Sequence, residues 1–487
     1  MANVPCHAKR KIWYNFAHEI EQPIRPAAER LRSPDKMTAM KTLLGRLHAR
    51  LGDFWWYSLM LFCACRAGDL LNAFVGLWLV PKYVEPSELG AVAPLANFAN
   101  FLAIPVAAFA NTFRNELTRL SIGGEFGKLK TLLRGVFAAT AVFLFMAIVV
   151  ARFLLPPFFE RIRIVEGSLG VVIIAASFVS AVWPIYSNAL QALRKFKAQS
   201  LLSAVGAPIR LVTMLAALPF RAITGYFVGQ ASTPVFNIAA SVFALRKELS
   251  VKAEPYWSRE TAGKFSGLLL TFLGWGISGG VYCLVEATVI RQRLPDLDSA
   301  GYYMVSRFSE IATYLYSAMM FAFFPFAADL AKDRRGHSRL ILKSTGANLA
   351  FCALIAMVFG LVARPILAFL PHGEQYSAFW WAVPWLIAVT GIGSLHGFYT
   401  TAEVAANRFG FLWWTIPLDL AYPALLLAVT GHGYFERWIP GQWTAFLTAH
   451  NIYSLETMLW WITAINAIKA VCCLAALRQR PQAGRRT

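Results

Sequence analysis

Two short stretches of the sequence, Pro86-Ser-Glu-Leu-Gly90 and Leu297-Asp-Ser-Ala-Gly301, occupy matching places in a weak internal repeat with an offset of 211 residues. In each copy an apolar run follows, and a second short motif comes after it. That motif is Gly124-Glu-Phe-Gly-Lys-Leu in the first copy and Arg335-Gly-His-Ser-Arg-Leu in the second. The repeat predicts that the chain consists of two halves with equivalent structures.

The composition places these halves in a bilayer. Of the 487 residues, 57% are hydrophobic and 15% are charged, whereas about 25% of a soluble domain is charged. The composition therefore excludes three classes of protein: a disordered chain, a disulfide-rich secreted scaffold and a nucleic-acid binder. The net charge of +20 fits Lys and Arg held at the cytoplasmic face. The seven cysteines form no Cys-x-x-Cys pair, so neither a metal site nor a cofactor is predicted.

Apolar runs long enough to cross a bilayer recur along the sequence. A hydrocarbon core of about 30 Å needs about 20 apolar residues as helix, and about twelve such runs occur between charges or Pro and Gly. They cover 54–80, 89–113, 132–155, 169–187, 200–218, 222–245, 265–290, 300–327, 347–370, 379–402, 409–430 and 455–477.

The loop charges alternate between strongly and weakly basic, as the positive-inside rule requires of a correct span count. An even count puts both termini in the cytoplasm, and the leader lacks a cleavable signal peptide. We expect an all-α polytopic protein of the cytoplasmic (inner) membrane, with two six-helix bundles related by a pseudo-two-fold axis along the membrane normal. The predicted divisions are a basic N-terminal segment, a first bundle, a linker, a second bundle and a basic tail, at 1–52, 53–246, 247–264, 265–477 and 478–487.

Cations inside the spans are candidate substrate contacts, because charge at bilayer depth costs about 2.5 to 3.5 kcal/mol. Arg66 in span one and Arg307 in span eight each have an acid three residues later, Asp69 and Glu310. These i, i+3 pairs lie on one helix face, where they either line a cavity or lock helices together. Arg210 in span five is a third cation, unless it snorkels to the cytoplasmic end.

Polar and acidic residues complete the predicted cavity. Asn97 and Asn100 in span two nearly match Arg307 and Glu310 in the repeat. Hydrogen bonding between neighbouring helices explains the two asparagines almost as well as contact with a substrate. Glu286 in span seven and Asp419 in span eleven are interpreted as lone acids that suit reversible ion coupling. Solvation at a helix end is the alternative for Glu286. For Asp419, the flanking prolines favour a polar cavity.

Three segments resemble the polysaccharide-transporter branch of the multidrug/oligosaccharidyl-lipid/polysaccharide (MOP) flippase superfamily, which includes Wzx-like O-antigen flippases. They are Val80-Pro-Lys-Tyr-Val-Glu-Pro-Ser-Glu-Leu-Gly90, Asn188-Ala-Leu-Gln-Ala-Leu-Arg-Lys-Phe-Lys197 and Asp298-Ser-Ala-Gly-Tyr-Tyr303. The resemblance covers about residues 54 to 477. It implies a MATE-like V of two bundles, alternating access, and a cationic cavity for a polyprenyl-diphosphate-linked glycan. It also implies polymerase or glycosyltransferase partners beside membrane lipids.

Chemistry independently favours an anionic substrate, because convergent guanidiniums bind diphosphate through charge-assisted, often bidentate hydrogen bonds. We assign that role to Arg66, Arg307 and Arg210. The lack of a G-x-x-x-x-G-K-[ST] motif, and of a domain that could house one, argues against an ATP-driven transporter. A multidrug or cation antiporter of the same superfamily is the serious alternative, and the sign of the cavity separates the two. A membrane glycosyltransferase is a weaker alternative. It is suggested by Asp296 and Asp298, which have the D-x-D spacing of a site that binds a metal ion and a diphosphate.

Overall fold

The computed structural model describes residues 68–164, 169–193, 195–330, 333–429 and 454–478. Within these ranges a helix stands at each of the twelve predicted spans, which confirms the all-α membrane fold. The predicted N-terminal segment, Arg66 and the residues after Arg478 lie outside the described ranges. The helices are α1 (68–83), α2 (Val92–Ile122), α3 (Phe126–Arg161), α4 (Leu169–Ala192), α5 (Phe196–Ala217), α6 (Ala222–Ala244), α7 (Arg259–Arg293), α8 (Asp296–Asp329), α9 (Arg334–Phe369), α10 (Ala382–Ala405), α11 (Leu412–Val429) and α12 (Leu455–Arg478).

The membrane-crossing character of the helices follows from their length and composition. Seven described helices, α2, α3, α4, α7, α9, α10 and α12, are long and apolar enough to cross a bilayer. Shorter apolar stretches lie in α5 and α11, at Ala204–Ala217 and Leu412–Leu427. A multi-pass membrane protein is the architecture that accommodates these helices.

Several helices extend beyond the predicted apolar runs into the basic loops. Helix α7 begins at Arg259, where the Ser258 hydroxyl caps it by accepting from the Thr261 amide at 3.1 Å. Helix α9 begins at Arg334, where Asp333 accepts from two backbone amides of the first turn. Capping residues satisfy the free amides of a first turn, so these helices continue beyond the hydrocarbon core.

Packing divides the helices into the two predicted groups. In the first half α2 and α6 both contact α4, and α6 also contacts α5. In the second half α10 contacts α8, α9 and α12, and α11 contacts α7 and α12. Helices α2 and α7 pack together and form the main seam between the halves. Gly276 and Gly280 of α7 make this approach possible, because a Cβ atom there would lie 2.7 and 2.4 Å from the Ile104 side chain.

Buried apolar residues form two clusters that divide the molecule along its length. One cluster joins both halves near the loops after α1, α3 and α7, and it includes Leu89, Ile162 and Leu294. The other cluster lies at the opposite end of the first half and includes Leu117 and Leu132. Among its buried members Phe265 of α7 is the one that comes from the second half. The halves therefore share the first cluster, whereas the second cluster belongs almost entirely to the first half.

The linker between the halves is held against the first half by hydrogen bonds that its backbone forms with residues at the start of α3. Lys130 Nζ donates to the Val251 carbonyl at 2.9 Å, and Thr131 Oγ1 donates to the Glu254 carbonyl at 2.6 Å. The Glu254 amide donates to the Gly127 carbonyl at 3.2 Å. A Cβ at Gly127 would stand 2.7 Å from the Lys252 carbonyl, so glycine is required here. These bonds fix the segment that leads into α7.

An ion pair stabilises the end of the first half where the linker begins. Lys195 Nζ donates to Glu248 Oε2 at 2.9 Å and to the Ala244 carbonyl at 2.6 Å. Burial raises the pKa of Glu248, but the hydrogen bond from Lys195, a backbone hydrogen bond and the charges of Lys195 and Lys247 together hold that pKa below its usual value. The predicted cytoplasmic end of α6 is thereby tied to the start of α5.

We expect Gly280→Leu to destabilise the protein by about 1 to 3 kcal/mol, because its side chain must displace Ile104 and Phe101 in the seam. The matched control is Gly279→Leu, since a Cβ at Gly279 meets no atom within 4 Å. Thermal unfolding of the detergent-solubilised variants measures the difference. Equal midpoints for the two variants would contradict the close packing of α2 against α7.

Candidate functional site

Arg307 of α8 is the centre of a charged group between the two halves. Its NH1 atom lies 2.6 Å from Glu310 Oε1, and its guanidinium lies 4.7 Å from the centroid of the Tyr303 ring. Gly76 of α1 covers the stem, because a Cβ there would be 3.0 Å from Arg307 Cδ. The Arg307 side chain is 20% exposed and that of Glu310 is 40% exposed. The predicted i, i+3 pair is therefore formed and remains partly accessible.

Arg210 of α5 approaches the same group from the first half. Its NH1 atom donates to Asn72 Oδ1 of α1 at 3.1 Å, and its buried Nε has no hydrogen-bond partner among the described residues. The charges of Arg307 and Glu310 both act on the Arg210 guanidinium. The structure thus brings together two arginines that lie 97 positions apart in the sequence, one from each half.

Asp69 faces the same surface of α8. The Tyr314 hydroxyl donates to the Asp69 backbone carbonyl at 3.1 Å, and the Asp69 and Glu310 charges both act on Tyr314. Arg66, the predicted partner of Asp69, lies outside the described residues. Four of the predicted residues, Asp69, Arg210, Arg307 and Glu310, are therefore neighbours in one charged group, which we call the arginine group. Their part in transport stays a prediction.

The contacts of the two asparagines of α2 are separate from those of the arginine group. Asn97 Nδ2 donates to the Cys283 backbone carbonyl of α7 at 2.9 Å, and this bond crosses the α2 and α7 seam. The Asn100 side chain is exposed. The helix-helix hydrogen bond that was the alternative explanation is thus present at Asn97, and substrate contact at either asparagine stays a prediction.

Asp419 of α11 differs from the sequence expectation, because it is not a lone acid. Lys469 Nζ of α12 lies 2.5 Å from Asp419 Oδ1, and Ser278 Oγ of α7 donates to the other oxygen at 3.3 Å. The ammonium also lies 4.5 Å from the centroid of the Tyr282 ring. The exposed fractions are 5% for Asp419 and 10% for Lys469. This buried pair joins three helices of the second half.

Glu286 of α7 lies near this pair in a group of tyrosines. The Tyr302 hydroxyl donates to Glu286 Oε1 at 3.1 Å, and the rings of Tyr282 and Tyr422 have centroids 4.8 Å apart beside it. Glu286 Oε2 is buried and forms no hydrogen bond of good geometry within the described ranges, although the Tyr282 and Tyr422 hydroxyls also face this carboxyl. The Lys469 charge also acts on this carboxyl. We call Glu286, Asp419, Lys469 and the three tyrosines the second-half cluster.

Lys469 is the functional candidate that the sequence reasoning missed. It stands in the apolar run Ile468-Lys-Ala-Val-Cys-Cys473 of span twelve, where a lone charge is by default a site hypothesis. That signal was present in the sequence. The tyrosines carried no such signal, because aromatic residues abound in the spans and their spacing does not show which of them meet.

The D-x-D motif has a structural explanation in the first turn of α8. Asp296 Oδ1 accepts from Arg291 NH1 at 2.8 Å and from Arg163 NH1 at 2.9 Å. An oxygen that serves two guanidiniums has little capacity left for a metal ion. No group of three or more potential metal-binding side chains occurs among the described residues.

Comparisons with known proteins agree with this architecture. No protein-family model and no curated protein matches the sequence, but solved structures do. The MATE transporter VcmN from Vibrio cholerae is 14% identical, with a TM-score of 0.60 over 90% of this chain and 98% of that one. A MATE transporter in the straight conformation is 12% identical, with a TM-score of 0.61 over 88% and 95% of the two chains.

A third similar structure is a MOP superfamily transporter from Pyrococcus furiosus whose binding pocket is described as having reverse polarity. It is 12% identical, with a TM-score of 0.59 over 88% of this chain and 96% of that one. At such identities the likeness establishes the fold and leaves the substrate open. The protein thus has the fold of the MATE transporters of the MOP superfamily, with twelve helices in two bundles.

Proposed function

We propose that this protein is a flippase that moves a polyprenyl-diphosphate-linked oligosaccharide across the inner membrane by alternating access. The convergence of Arg210 from the first half and Arg307 from the second is the observation that carries the proposal. A diphosphate offers several acceptor oxygens and at least two negative charges, so it binds two guanidiniums at once. Such a ligand would contact both moving halves, as a transported substrate must.

The two arginines have different partners, and both arrangements allow an anion to bind. Glu310 neutralises Arg307 at 2.6 Å but keeps 40% of its own side chain exposed, so an incoming phosphate can take its place. Asn72 holds Arg210 through a neutral amide, and Arg210 forms no ion pair among the described residues. Its charge is therefore available to the substrate. The glycan and the polyprenyl chain would lie in the space between the halves and in the surrounding lipid.

The remaining features of the proposal come from the sequence pattern, except for the partner enzymes, which the family resemblance alone implies. Both termini lie in the cytoplasm by the alternation of basic loops, and a polymerase or glycosyltransferases act before or after the flippase. We propose transport rather than glycosyl transfer because two arginines engage Asp296, the first acid of the D-x-D motif. No cofactor enters this scheme.

A second candidate function is the export of organic cations. Its supporting observation is the second-half cluster, where the Glu286 carboxyl lies among tyrosine rings that suit a cation. Two similar structures are described as multidrug resistance transporters of the MATE family. The cluster lies within one half, however, whereas the arginine group joins both, and this difference favours an anionic substrate for the central cavity.

Glu286 is also our proposed ion-coupling acid, in preference to Asp419. The ammonium of Lys469 already neutralises Asp419, so this carboxyl has no need of an exchangeable cation. Glu286 keeps a buried oxygen without a hydrogen-bond partner, and a proton bound there would remove its charge. Asp419 and Lys469 then serve as the fixed pair against which α7 packs.

Replacing either arginine should weaken transport of the diphosphate lipid. We expect Arg210→Ala and Arg307→Ala each to lower flipping about 10- to 100-fold, because a hydrogen bond to a charged group contributes about 1.5 to 3 kcal/mol. Arg66→Ala tests the third predicted cation in the same way. The measurement is translocation of a fluorescent polyprenyl-diphosphate oligosaccharide in proteoliposomes, with native mass spectrometry of co-purified lipid.

The matched control is Arg364→Ala, which removes an exposed arginine outside both charged groups and should leave flipping unchanged. Full flipping in all three cavity variants would contradict the proposal. If wild-type protein carried no diphosphate lipid and organic cations raised its melting temperature, the antiporter would be the better function.

Breaking the buried pair of the second half should be costly. We expect Lys469→Met or Asp419→Asn alone to lower the free energy of unfolding by about 3 to 5 kcal/mol, because each leaves an uncompensated buried charge or a lost partner. The double variant should recover much of that loss, since it removes both. Thermal and denaturant unfolding of the four proteins measures the coupling. Additive losses in the double variant would show that the pair does not act as a unit.

A further inference from the structure

Arg291, at the end of α7, binds three separate segments of the chain at the predicted outer end. Its NH2 atom donates to the Ser87 carbonyl at 2.7 Å, its Nε to the Ile162 carbonyl at 3.2 Å, and its NH1 to Asp296 Oδ1 at 2.8 Å. Ser87 and Ile162 belong to the connections after α1 and α3 of the first half, and Ser87 lies there in the short helix Pro86–Leu89. The guanidinium is 2% exposed, so one buried cation of the second half holds two loops of the first.

Arg163 completes the network from the opposite side. Its NH1 atom donates to Asp296 Oδ1 at 2.9 Å and its NH2 atom to the Gln292 carbonyl at 3.3 Å. Arg163 has a backbone φ of 60°, a left-handed conformation that is uncommon outside glycine. Asp296 therefore accepts from one arginine of each half. We call Arg163, Arg291 and Asp296 the outer lock.

Close packing supports the same junction independently of charge. A Cβ at Gly90 would lie 2.2 Å from Ser299 Oγ and 2.8 Å from Ser299 Cβ, so the starts of α2 and α8 are in direct contact. The shared apolar cluster also lies at this end. At the opposite end the contacts between halves include the Phe113 and Phe265 rings and the Arg114 guanidinium over the Phe324 ring.

We propose that the outer lock is the gate that closes the outer end of the substrate pathway and that it breaks in every transport cycle. This inference rests on the proposed transport by alternating access and goes beyond it, because it assigns a gate and a conformation. The structure is the state with the outer end closed. Opening that end requires Ser87, Ile162 and Arg163 to leave Arg291 and Asp296.

The exposure of two of its side chains allows the outer lock to open and close. Arg163 and Asp296 are 52% and 44% exposed, so water can solvate both when they separate, and their pairing is weaker than that of a buried pair. Among the described residues, Asp296 is the acid that accepts hydrogen bonds from both guanidiniums. Its loss would leave two cations facing each other, so this residue decides whether the gate stays closed.

Hydrogen exchange of the full-length protein in lipid nanodiscs, without substrate, tests the lock. We expect Asp296→Asn to speed amide exchange about tenfold in segments 84–92 and 159–164, because charge-assisted bonds to both arginines are lost. Arg163→Gly removes one guanidinium while suiting the positive φ, and it should accelerate the same segments to a smaller extent. Exchange in α4 and α10 should not change in either variant.

Asp298→Asn is the matched control, because it neutralises an acid in the same helical turn that is not part of the lock, and it should exchange like the wild type. Wild-type rates in Asp296→Asn, or equal acceleration in Asp298→Asn, would overturn the lock. If Asp296→Asn does not fold, wild-type rates in Arg163→Gly would overturn it instead. Because the exchange is measured without substrate, a failure to flip diphosphate lipid would contradict the proposed function and leave this result standing.

Discussion

A charged side chain between membrane helices must find its partner inside the protein, because neither water nor lipid supplies one at that depth. The described residues satisfy this constraint by joining different helices. Lys469 of α12 meets Asp419 of α11, and Arg210 of α5 meets Asn72 of α1. These contacts select which helices are neighbours, whereas apolar packing alone allows many arrangements. The polar residues of the spans therefore carry much of the information about the tertiary structure.

The fold could be predicted from the sequence because a helix of about 20 apolar residues is the main solution that a bilayer permits. The repeat that begins at Pro86 and Leu297 also indicated two equivalent halves. The helix ends could not be placed in the same way. Helices α7 and α9 extend into basic loops because Ser258 and Asp333 cap them, and hydropathy does not register a cap.

The candidate site was predictable only where its residues are close in sequence. The i, i+3 spacing of Arg307 and Glu310 indicated their ion pair, since that spacing fixes the helix face. The approach of Arg210 to Arg307 depends on how α5 and α8 are arranged, and no local pattern encodes it. Asp419 was interpreted as a lone acid for a similar reason, because its partner stands 50 residues later on another helix.

The different positions of the two charged groups constrain how the proposed transport would work. The arginine group joins the halves, so an anion bound there adds attraction between them near the middle of the membrane. The outer lock also joins the halves, but at one end. A substrate that bridges Arg210 and Arg307 would hold the halves together at mid-depth while the outer contacts separate, and the bound anion would then act as the pivot of the motion.

The second-half cluster moves as one body in this scheme, because its contacts all lie within α7 to α12. Its ionisation can therefore change the packing of α7, which carries Arg291 at its end, without direct contact with the substrate.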